Sequence, residues 1–564
     1  MKWHRNKKLP VEFDEILLDL SNLPSFNITR LEGRRELPVA SRNIYVVGAI
    51  FLLVTIGFFL RIYLLQIVSG KEYRTISDNN SVSKTVIIAE RGVVNDRYGE
   101  PLIWNDYDLT NKYDFPIRSY SDRMGLGQLI GYVSYPKKDK YGFYYRTEYL
   151  GRTGVESAFE SILHGENGQK IVEVDALGKV VGEHVVSVAV PGGELKLSID
   201  ASLSEAMYQI ISGAVEQAGF RSGAAAIIDV HTGEMLAMTS FPSYDPEVMA
   251  DGDDIEKINE YNSDPRFPFL NKAVSGLYTP GSIVKPFVAY GALAEKIIDP
   301  DKIITSTGKI TIPNPYNPEN PSVYRDWRVQ GQMTMREGIA FSSNVYFYTI
   351  GGGFGDQPGL GIIKMDKYFN LFGLGDKTGI NVATEQEGTI PSPEWKQKVF
   401  GDEWRLGDTY FTAIGQYGFQ QTPLQMLRAY AAIANGGFLL TPHVVMENTS
   451  AEIDLHLDEN YLKIIHEGMR MTVNYPGGTA RPLERNDVAI AAKSGTAQVG
   501  EGNAYVNSWA AGSWPYEKPK YAFIMMMENA PSSNTLGATR VMGSVFDWMA
   551  INRPQYINPQ TSEQ

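Results

Sequence analysis

Cysteine is absent from the 564-residue sequence. Its absence excludes disulfide bonds, thiolate catalysis and cysteine-ligated metal sites. Histidine is scarce, with seven residues, and none of them stands in the HExxH or HxH spacing of a zinc site. We therefore predict a protein that carries no metal ion and no cofactor.

Positive charge is in deficit. The chain has 52 Lys and Arg against 65 Asp and Glu, which gives a net charge of −13. Proteins that bind nucleic acid through basic patches show the opposite balance, so we predict no nucleic-acid partner. The hydrophobic fraction of 43% is ordinary for a globular protein with a large core. The length corresponds to about two to four domains.

One long apolar run interrupts this pattern. Residues 44–60 read IYVVGAIFLLVTIGFFL without a charge, and the chain continues after Arg61 as IYLLQIV. A stretch of ~20 apolar residues crosses a bilayer as a helix. We predict a transmembrane helix over residues 44–66. A buried core helix is the alternative, and a cleaved signal peptide is disfavoured because no small-x-small cleavage site closes the segment.

Basic residues are unevenly placed about this segment. Those before it are Lys2, Arg5, Lys7, Lys8, Arg30, Arg34, Arg35 and Arg42. Those shortly after it are only Arg61, Lys71 and Arg74. The positive-inside rule therefore predicts a cytoplasmic tail at 1–43 and an extracytoplasmic remainder, which disfavours ATP and other cytosolic cofactors. Within the tail, residues 11–23 have helical apolar spacing and form either a docking helix or a partly ordered solvated segment.

The predicted secondary structure of the rest of the chain changes near residue 195. Before it, residues 67–195 are turn-rich, with short strands predicted at 86–88, 93–94 and 170–174. After it come a strand that ends over Leu197, Ile199 and Asp200, an amphipathic helix at 202–217, and strands at 223–229 and 235–239 joined by a turn.

Near the end of the chain we predict a strand at 521–527 and a helix at 541–551. A sheet built from both ends of a domain, with helices between, is an α+β arrangement. The predicted boundaries are a β-rich domain at 67–195, an α+β domain at 196–552 and a C-terminal tail at 553–564.

Ser282 and Lys285 stand in the sequence YTPGSIVKP at 278–286. On a helix this spacing puts both on one face, one turn apart. Pro286 is tolerated only near the first turn, so we expect Ser282 at a helix N-terminus, where the dipole favours negative charge at its oxygen. A serine needs a base to become a nucleophile, and Lys285 can act as one only if burial or a nearby cation lowers its pKa.

The SxxK spacing alone is weak evidence, because it also occurs at Ser81, Ser134 and Ser306. Only the Ser282 copy combines a glycine entry with a following apolar helical run. A helix-cap serine is the alternative explanation for Ser282 considered by itself.

Two further motifs follow in order. Ser342-x-Asn344 comes after a helical stretch at 335–340 and before an aromatic run, which predicts a loop between two buried helices. Lys493-Ser494-Gly495-Thr496 comes after a strand of small apolar residues at 488–492. A substrate backbone can pair with such a strand edge. The competing copies are the Ser-x-Asn sequences at Ser25, Ser41, Ser77 and Ser532 and the more literal Lys377-Thr378-Gly379.

The ordered set of three motifs resembles the penicillin-binding proteins and serine β-lactamases. Further segments resemble class B penicillin-binding proteins: AIIDVHTGEMLAM at 226–238, YRDW at 324–327, GQ at 415–416, QTPLQ at 421–425, NGG at 435–437 and WAAG at 509–512. Upstream, RG at 91–92, DRYG at 96–99 and GRTGVE at 151–156 resemble the pedestal of the same class. The resemblance covers about residues 45–552.

This resemblance implies a penicillin-binding, α+β transpeptidase domain with an antiparallel sheet flanked by helices, on an elongated β-rich pedestal. The segments WKQK at 395–398 and GD at 407–408 place the likeness closest to penicillin-binding protein 2, the cell-elongation type. Ser494 departs from the threonine of many members but keeps a hydroxyl. The tail is longer than the type predicts.

The resemblance also implies a role for each residue. Ser282 attacks the penultimate D-alanine of a stem peptide, Lys285 is the base, and Ser342 relays a proton to the leaving D-alanine. Asn344 binds the substrate amide, and Lys493 keeps Lys285 neutral and attracts the terminal carboxylate. Ser494 and Gly495 belong to the substrate-binding strand, and the backbone N–H groups of Ser282 and Thr496 form the oxyanion hole.

The expected partners are stem peptides, β-lactam antibiotics, the membrane, elongation machinery and a SEDS-type glycosyltransferase, because no glycosyltransferase domain is expected in the chain. Alternatives with the same site are a D,D-carboxypeptidase, a β-lactamase and the division-specific class B protein. A β-lactamase needs a deacylating base, and no convincing glutamate stands between the second and third motifs. A β-lactam sensor or scaffold is the non-enzymatic alternative; it is disfavoured because the tail holds no signalling domain and no motif residue is lost.

Overall fold

The structure is a computed structural model that describes residues 40–71, 73–74, 82–107, 113–140, 144–174, 180–314, 317–446 and 450–558. The segment 11–23, for which a docking or membrane-surface helix and a partly ordered solvated tail were the alternatives, lies outside these residues. The chain divides into two compact units, one of residues 1–83 and 172–182 and the other of residues 84–171 and 183–564.

The first unit contains the apolar helix predicted from the sequence. An α-helix at Ser41–Tyr63 continues as a π-helical turn at Leu64–Val68. The segment Ser41–Val68 is long and apolar enough to cross a membrane, by length and composition. None of the side chains of its α-helical part is buried by protein. The predicted span at 44–66 falls inside this segment.

The longest strands of the described residues are the last three along the chain, of 9, 10 and 11 residues. The strands are β1 Val82–Ile87, β2 Val94–Asn95, β3 Pro101–Asp106, β4 Ile117–Tyr120, β5 Val133–Ser134, β6 Lys137–Lys138, β7 Tyr144–Arg146, β8 Leu150–Gly151, β9 Gly168–Val174, β10 Val180–Ser187, β11 Leu195–Lys196, β12 Ser222–Asp229, β13 Met235–Phe241, β14 Ile304–Ser306, β15 Lys309–Ile312, β16 Ser322–Arg325, β17 Gly331–Met333, β18 Phe438–Leu440, β19 Glu452–Asp454, β20 Ala491–Val499, β21 Tyr505–Trp514 and β22 Tyr521–Pro531.

The helices of the second unit concentrate between β13 and β20. They are Gly127–Ile130, Gly154–Ala158, Glu160–Leu163, Ala201–Ala218, Pro246–Asp251, Ile255–Ser263, Lys285–Ala294, Met335–Ala340, Asn344–Gly352, Ile362–Leu371, Pro393–Phe400, Leu406–Ala413, Pro423–Ala434, Glu459–Asn474, Ala538–Asn552 and Pro554–Ile557, with 3-10 turns at Gly281–Val284, Arg481–Leu483 and Glu501–Asn503.

A five-stranded sheet organises this region, in the order β13-β12-β22-β21-β20. Every pairing in it is antiparallel. Strands from the start and the end of the domain therefore lie side by side, and the α+β prediction is confirmed. The predicted hairpin is β12 with β13, and β20 lies at one edge of the sheet.

Both faces of the sheet are covered, because the residues of β12 alternate between two cores. Ala224 and Ala226 pack in the same core as Phe287 of the helix Lys285–Ala294. Ala225 and Ile227 pack in the core that contains residues of the helices Ala201–Ala218 and Ala538–Asn552. A strand buried on both sides is a continuous run of small and apolar residues, as observed for β12.

One sequence expectation is corrected near residue 200. The strand expected to end over Leu197, Ile199 and Asp200 ends at Lys196, as β11. After Lys196 the backbone makes only isolated bonds, such as Leu197 N to Asn95 O at 2.8 Å and Asp200 N to Leu236 O at 2.7 Å, and the Asp200 side chain caps the next helix by accepting from Leu203 N at 3.0 Å. A residue that caps a helix has left the strand ladder.

The β-rich region at 84–195 carries a buried charge network. The carboxylate of Glu156, which is fully buried, accepts bonds from Arg91 Nε at 2.5 Å and Arg118 Nε at 2.7 Å. Arg91 also contacts Glu160 at 2.6 Å. Two buried guanidiniums are thus paired with two carboxylates, an arrangement that offsets the cost of taking these charges out of water.

Candidate active site

Ser282 lies in a tight turn at the base of a buried helix. A 3-10 turn at Gly281–Val284 runs into the α-helix Lys285–Ala294, with Pro286 in its first turn. The expected helix N-terminus is therefore a 3-10 entry, which begins at Gly281 with a φ of 58°. Ser282 is partly exposed, whereas Lys285, one turn later, is buried.

Ser342 lies between two helices, as the sequence predicted. The helix Met335–Ala340 ends before it, and the helix Asn344–Gly352 begins after Ser343, whose side chain caps it. Ser342 itself has a φ of 54°. A residue with a side chain seldom takes this left-handed conformation, so the loop is held by its surroundings.

The third motif lies on β20. Lys493 is buried, whereas Ser494 is partly exposed and its Oγ donates to Thr479 Oγ1 at 2.6 Å. A Cβ on Gly495 would lie 3.1 Å from Pro280 O and 2.8 Å from Ile283 Cγ2. The absence of a side chain at Gly495 therefore lets β20 run directly beside the turn that carries Ser282.

Gly281, in the turn that carries Ser282, also lies very close to β20. A Cβ on Gly281 would lie 2.7 Å from Thr496 O. Gly281 N also donates to Gly415 O at 3.0 Å. The backbone of Thr496 therefore lies next to the backbone that leads into Ser282.

Both lysine amines converge on Ser342. Lys285 Nζ lies 2.7 Å from Ser342 O, 3.3 Å from Ser342 Oγ and 2.9 Å from Asn344 Oδ1. Lys493 Nζ lies 2.8 Å from Ser342 Oγ and 2.8 Å from Ser494 O. Residues separated by up to about 200 positions along the chain therefore form one hydrogen-bonded cluster.

Burial lowers the pKa of both amines. It lowers the pKa of Lys285 to about 7, against an opposing contribution from the Asp326 carboxylate. It lowers the pKa of Lys493 well below the ordinary value, and the charge of Lys285 adds to that effect. Desolvation disfavours an ammonium, and a second cation nearby disfavours it further. A neutral amine, which can accept a proton, is thus available near neutral pH.

Of the competing motif copies, Ser306 is near the site, because its Oγ donates to the Asp326 carboxylate at 3.0 Å. Lys377 is exposed on a loop, 3.9 Å from Glu387. Ser134 is on the short strand β5. Ser77 and Ser81 lie outside the described residues. Among the residues described, no group of three or more His, Asp or Glu side chains could hold a metal ion.

Similarity to known proteins agrees with this geometry. Residues 223–546 match the family described as Penicillin binding protein transpeptidase domain, and residues 111–197 match Penicillin-binding Protein dimerisation domain. The chain belongs to the class B penicillin-binding proteins. The resemblance drawn from the motifs is confirmed.

The relatives of this class B protein carry names that specify the reaction. Peptidoglycan D,D-transpeptidase MrdA of Escherichia coli K12 is 28% identical over 607 residues, covering 89% of this chain and 92% of the relative. The solved complex of penicillin-binding protein 2 with MreC from Helicobacter pylori is 26% identical, with a TM-score of 0.68 over 83% of this chain and 98% of that one. The chain is thus a peptidoglycan D,D-transpeptidase, as predicted.

A third relative is a structure of an assembly. The structure titled "Structural coordination of polymerization and crosslinking by a peptidoglycan synthase complex" is 26% identical to the class B protein described here, with a TM-score of 0.68 over 90% of this chain and 97% of that one. The similarity extends through most of the chain, including the region at 111–197.

Two residues of the class B site had no role in the sequence analysis. Asp326 was recognised only as part of YRDW, yet it contacts the Ser342 loop directly. Thr479 was not singled out at all, and it holds Ser494 Oγ. For Asp326 the signal was its place in a family segment; for Thr479 the sequence offered no signal, because it lies 15 positions before its partner without a fixed spacing.

Proposed function

We propose that Ser282 is the nucleophile of a peptidoglycan cross-linking reaction. Its Oγ attacks the carbonyl of the penultimate D-alanine, the terminal D-alanine leaves as an amine, and an acyl-enzyme forms. The amine of a neighbouring stem peptide then attacks the ester and releases Ser282. The observation that carries this proposal is the convergence of Lys285, Lys493 and Ser342 beside the Ser282 turn.

Lys285 is the base that takes the Ser282 proton. As a neutral amine it has two N–H groups, and the two nearest acceptors, Ser342 O and Asn344 Oδ1, accept both. The nitrogen lone pair is then free to accept a proton. A pKa of about 7 leaves a large fraction of Lys285 in this form near neutral pH.

Ser342 carries the proton to the leaving group. Its Oγ lies between the two amines, at 3.3 Å from Lys285 Nζ and 2.8 Å from Lys493 Nζ. A hydroxyl both donates and accepts, so it can pass a proton to the departing D-alanine nitrogen while receiving one from a lysine. When Lys493 holds the single proton of the pair, its positive charge attracts the terminal carboxylate and keeps Lys285 neutral.

The substrate is held by the strand and by the oxyanion hole. Ser494 and Gly495 on β20 offer an edge to the stem-peptide backbone, and Asn344 binds its amide. The N–H groups of Ser282 and Thr496 stabilise the negative oxygen of the tetrahedral intermediate. Such a donor contributes about 3 kcal/mol to transition-state stabilisation.

We further propose that the protein acts in cell elongation, with residues 1–43 in the cytoplasm and the catalytic domain outside. The excess of basic residues before the membrane segment supports this orientation. The relatives named above, one in complex with MreC and one in a peptidoglycan synthase complex, support partners in the elongation machinery. A SEDS-type glycosyltransferase would supply the glycan strands that this enzyme cross-links.

Covalent labelling tests the nucleophile. The full-length protein in detergent is incubated with fluorescent penicillin, and the adduct is measured by gel and intact mass for wild type, Ser282→Ala and Ser134→Ala. We expect one stable adduct per chain that disappears only in Ser282→Ala. Ser134 is the control because it is the serine of another SxxK copy. Ser306, the serine of a further copy, is unsuitable because it donates a hydrogen bond to Asp326 at 3.0 Å.

Other outcomes separate the alternatives. Rapid loss of the adduct would indicate a β-lactamase. A folded wild-type protein without any adduct would contradict the assignment of Ser282 and favour a scaffold.

A further inference from the structure

The Asp326 carboxylate accepts an unusual number of hydrogen bonds. It follows β16 and receives six donors: Trp327 N at 2.9 Å, Asn344 N at 2.9 Å, Gln330 Nε2 at 3.1 Å, Ser306 Oγ at 3.0 Å, Ser343 Oγ at 2.6 Å and Val345 N at 3.2 Å. Three of these donors come from residues 343–345, immediately after Ser342. The carboxylate thus joins two segments that are 17 or more positions apart.

These bonds stabilise the first turn of the helix Asn344–Gly352. The N-terminal N–H groups of a helix have no partner within the helix, and a negative charge is favourable there. Asp326 accepts two of them, Asn344 N and Val345 N, and holds the cap residue Ser343 as well. The start of this helix is therefore fixed from outside by a single side chain.

The residue before this cap is the strained one. Ser342 has a φ of 54°, a left-handed conformation that is unfavourable for a residue with a side chain. Its carbonyl and hydroxyl are the groups on which the lysines converge. A small relaxation of the loop would turn Ser342 Oγ away from both Nζ atoms.

We propose that Asp326 is a positioning residue of the transpeptidase site: it holds the Ser342-Ser343-Asn344 loop in its strained geometry and places a negative charge beside Lys285. This inference rests on the proposed roles of Lys285 and Ser342. It gives Asp326 no contact with the reacting atoms.

The negative charge of Asp326 changes the pKa of Lys285 in a known direction. The groups that face Lys285 Nζ are Lys493 from β20, the oxygens of Ser342 and Asn344, the Phe347 ring at 5.3 Å, and the Asp326 charge from the loop after β16. Asp326 raises the pKa of Lys285 against the effect of burial. Loss of its charge therefore lowers that pKa further, so Lys285 becomes a free amine at lower pH.

The test is the second-order rate of acylation by fluorescent penicillin as a function of pH, in the full-length protein. The variants are Asp326→Asn, which removes the charge and places amide hydrogens against Ser343 and Val345, and Asp326→Glu, which keeps the charge. Asp254→Asn is the matched control, because Asp254 also caps a helix, Ile255–Ser263, by accepting from Lys257 N at 2.9 Å.

For Asp326→Asn we expect the acylation rate at its plateau to fall about 10- to 100-fold, as displaced catalytic groups typically do. The acid limb of its pH–rate profile, where the rate rises as Lys285 loses its proton, should move to lower pH. Asp326→Glu should keep the limb near its wild-type position even where the rate is reduced. Asp254→Asn should match wild type in both respects.

Three results would overturn the inference. A wild-type rate in Asp326→Asn would exclude positioning. A uniform fall with an unmoved limb would leave Asp326 only a structural role. If Asp326→Asn does not fold, Ser343→Ala removes the 2.6 Å bond to Asp326 together with the cap bond that Ser343 Oγ accepts from Tyr346 N at 3.2 Å, and a wild-type rate in that variant would contradict the inference. Failure of the proposed function is distinguishable, because wild type itself would then lack an adduct on Ser282.

Discussion

Lys285 and Lys493 share a single hydroxyl in a site from which water is largely excluded. Both amines are buried, and both lie within hydrogen-bond distance of Ser342 Oγ. Two ammonium ions so close to one atom repel each other strongly in a medium of low dielectric constant. The pair therefore favours a single proton, and Ser342 Oγ is the path by which that proton can move between them.

This pair predicts the pH dependence of acylation. The rate should rise with pH as Lys285 loses its proton, with a midpoint of about 7, and then level off. The rate rises in this pH range because burial lowers the pKa of Lys285. The free amine of Lys285 therefore predominates above about pH 7, whereas that of an ordinary lysine predominates only above about pH 10. Stopped-flow or quenched labelling with penicillin at a series of pH values measures it. A midpoint near 10 would contradict the proposed base.

At the residue scale, spacing rules explain what the sequence could predict. Ser282 and Lys285 are one helical turn apart, so their neighbourhood follows from local geometry. The contact of Lys493 with Ser342 could not be derived locally, because 151 positions separate them; it came from the family resemblance. For Asp326 the resemblance marked only its place in the segment YRDW, and its bonds to the Ser342 loop could not be derived, since they depend on how one loop packs against another.

At the scale of elements, the site depends on how closely a strand approaches a turn. β20 passes the 3-10 turn Gly281–Val284 at a distance that leaves no room for a Cβ on Gly281 or Gly495. Glycine at these two positions thus sets the gap between the backbone of Thr496 and that of Ser282. The geometry of the proposed oxyanion hole is a property of this approach.

Substituting the turn glycine tests this dependence. Gly281→Ala should lower the free energy of unfolding by about 1–3 kcal/mol, because its φ is positive and its Cβ would meet Thr496 O. It should also slow acylation at least about 10-fold. Thermal melting and penicillin labelling measure the two effects.

Gly252 supplies the control. It has a similar φ of 67°, but a Cβ there would meet nothing within 4 Å. Gly252→Ala should therefore cost only about 1 kcal/mol of backbone strain and leave acylation unchanged. Equal acylation rates in both variants would contradict the role given to the close approach.

The elements themselves followed the sequence where the pattern was continuous. The predicted strands at 223–229 and 235–239 lie inside β12 and β13, because small and apolar runs bounded by a turn leave few alternatives. The predicted bounds were wrong where the chain passes from a strand into a helix, as it does before the helix that Asp200 caps. The order β22-β21-β20 could not be read from the sequence, since antiparallel pairing between distant segments has no local signal.

At the scale of the whole molecule, the β-rich region depends on a few buried charges. Glu156→Gln would leave Arg91 and Arg118 without their shared carboxylate in a buried environment. We expect the free energy of unfolding to fall by about 3–5 kcal/mol, as for other buried ion pairs that lose one partner.

The stability of this variant tests how much the buried network contributes. Denaturant unfolding measures the loss, and Glu260→Ala, which breaks an exposed pair with Lys257, is the control that should change little. If Glu156→Gln were as stable as wild type, the network would not be a major source of stability.

The edge position of β20 has a consequence for which carbonyl is cut. A peptide that pairs with this edge adopts the two-residue alternation of a strand, so a shift by one residue reverses every side chain and moves each carbonyl by about 3.4 Å. Only one alignment places a given carbonyl at Ser282 Oγ. If Lys493 binds the terminal carboxylate as proposed, this alignment fixes the number of residues between that carboxylate and the carbonyl at Ser282. A stem peptide with one residue more or fewer after the bond to be cut would then place the wrong carbonyl at Ser282.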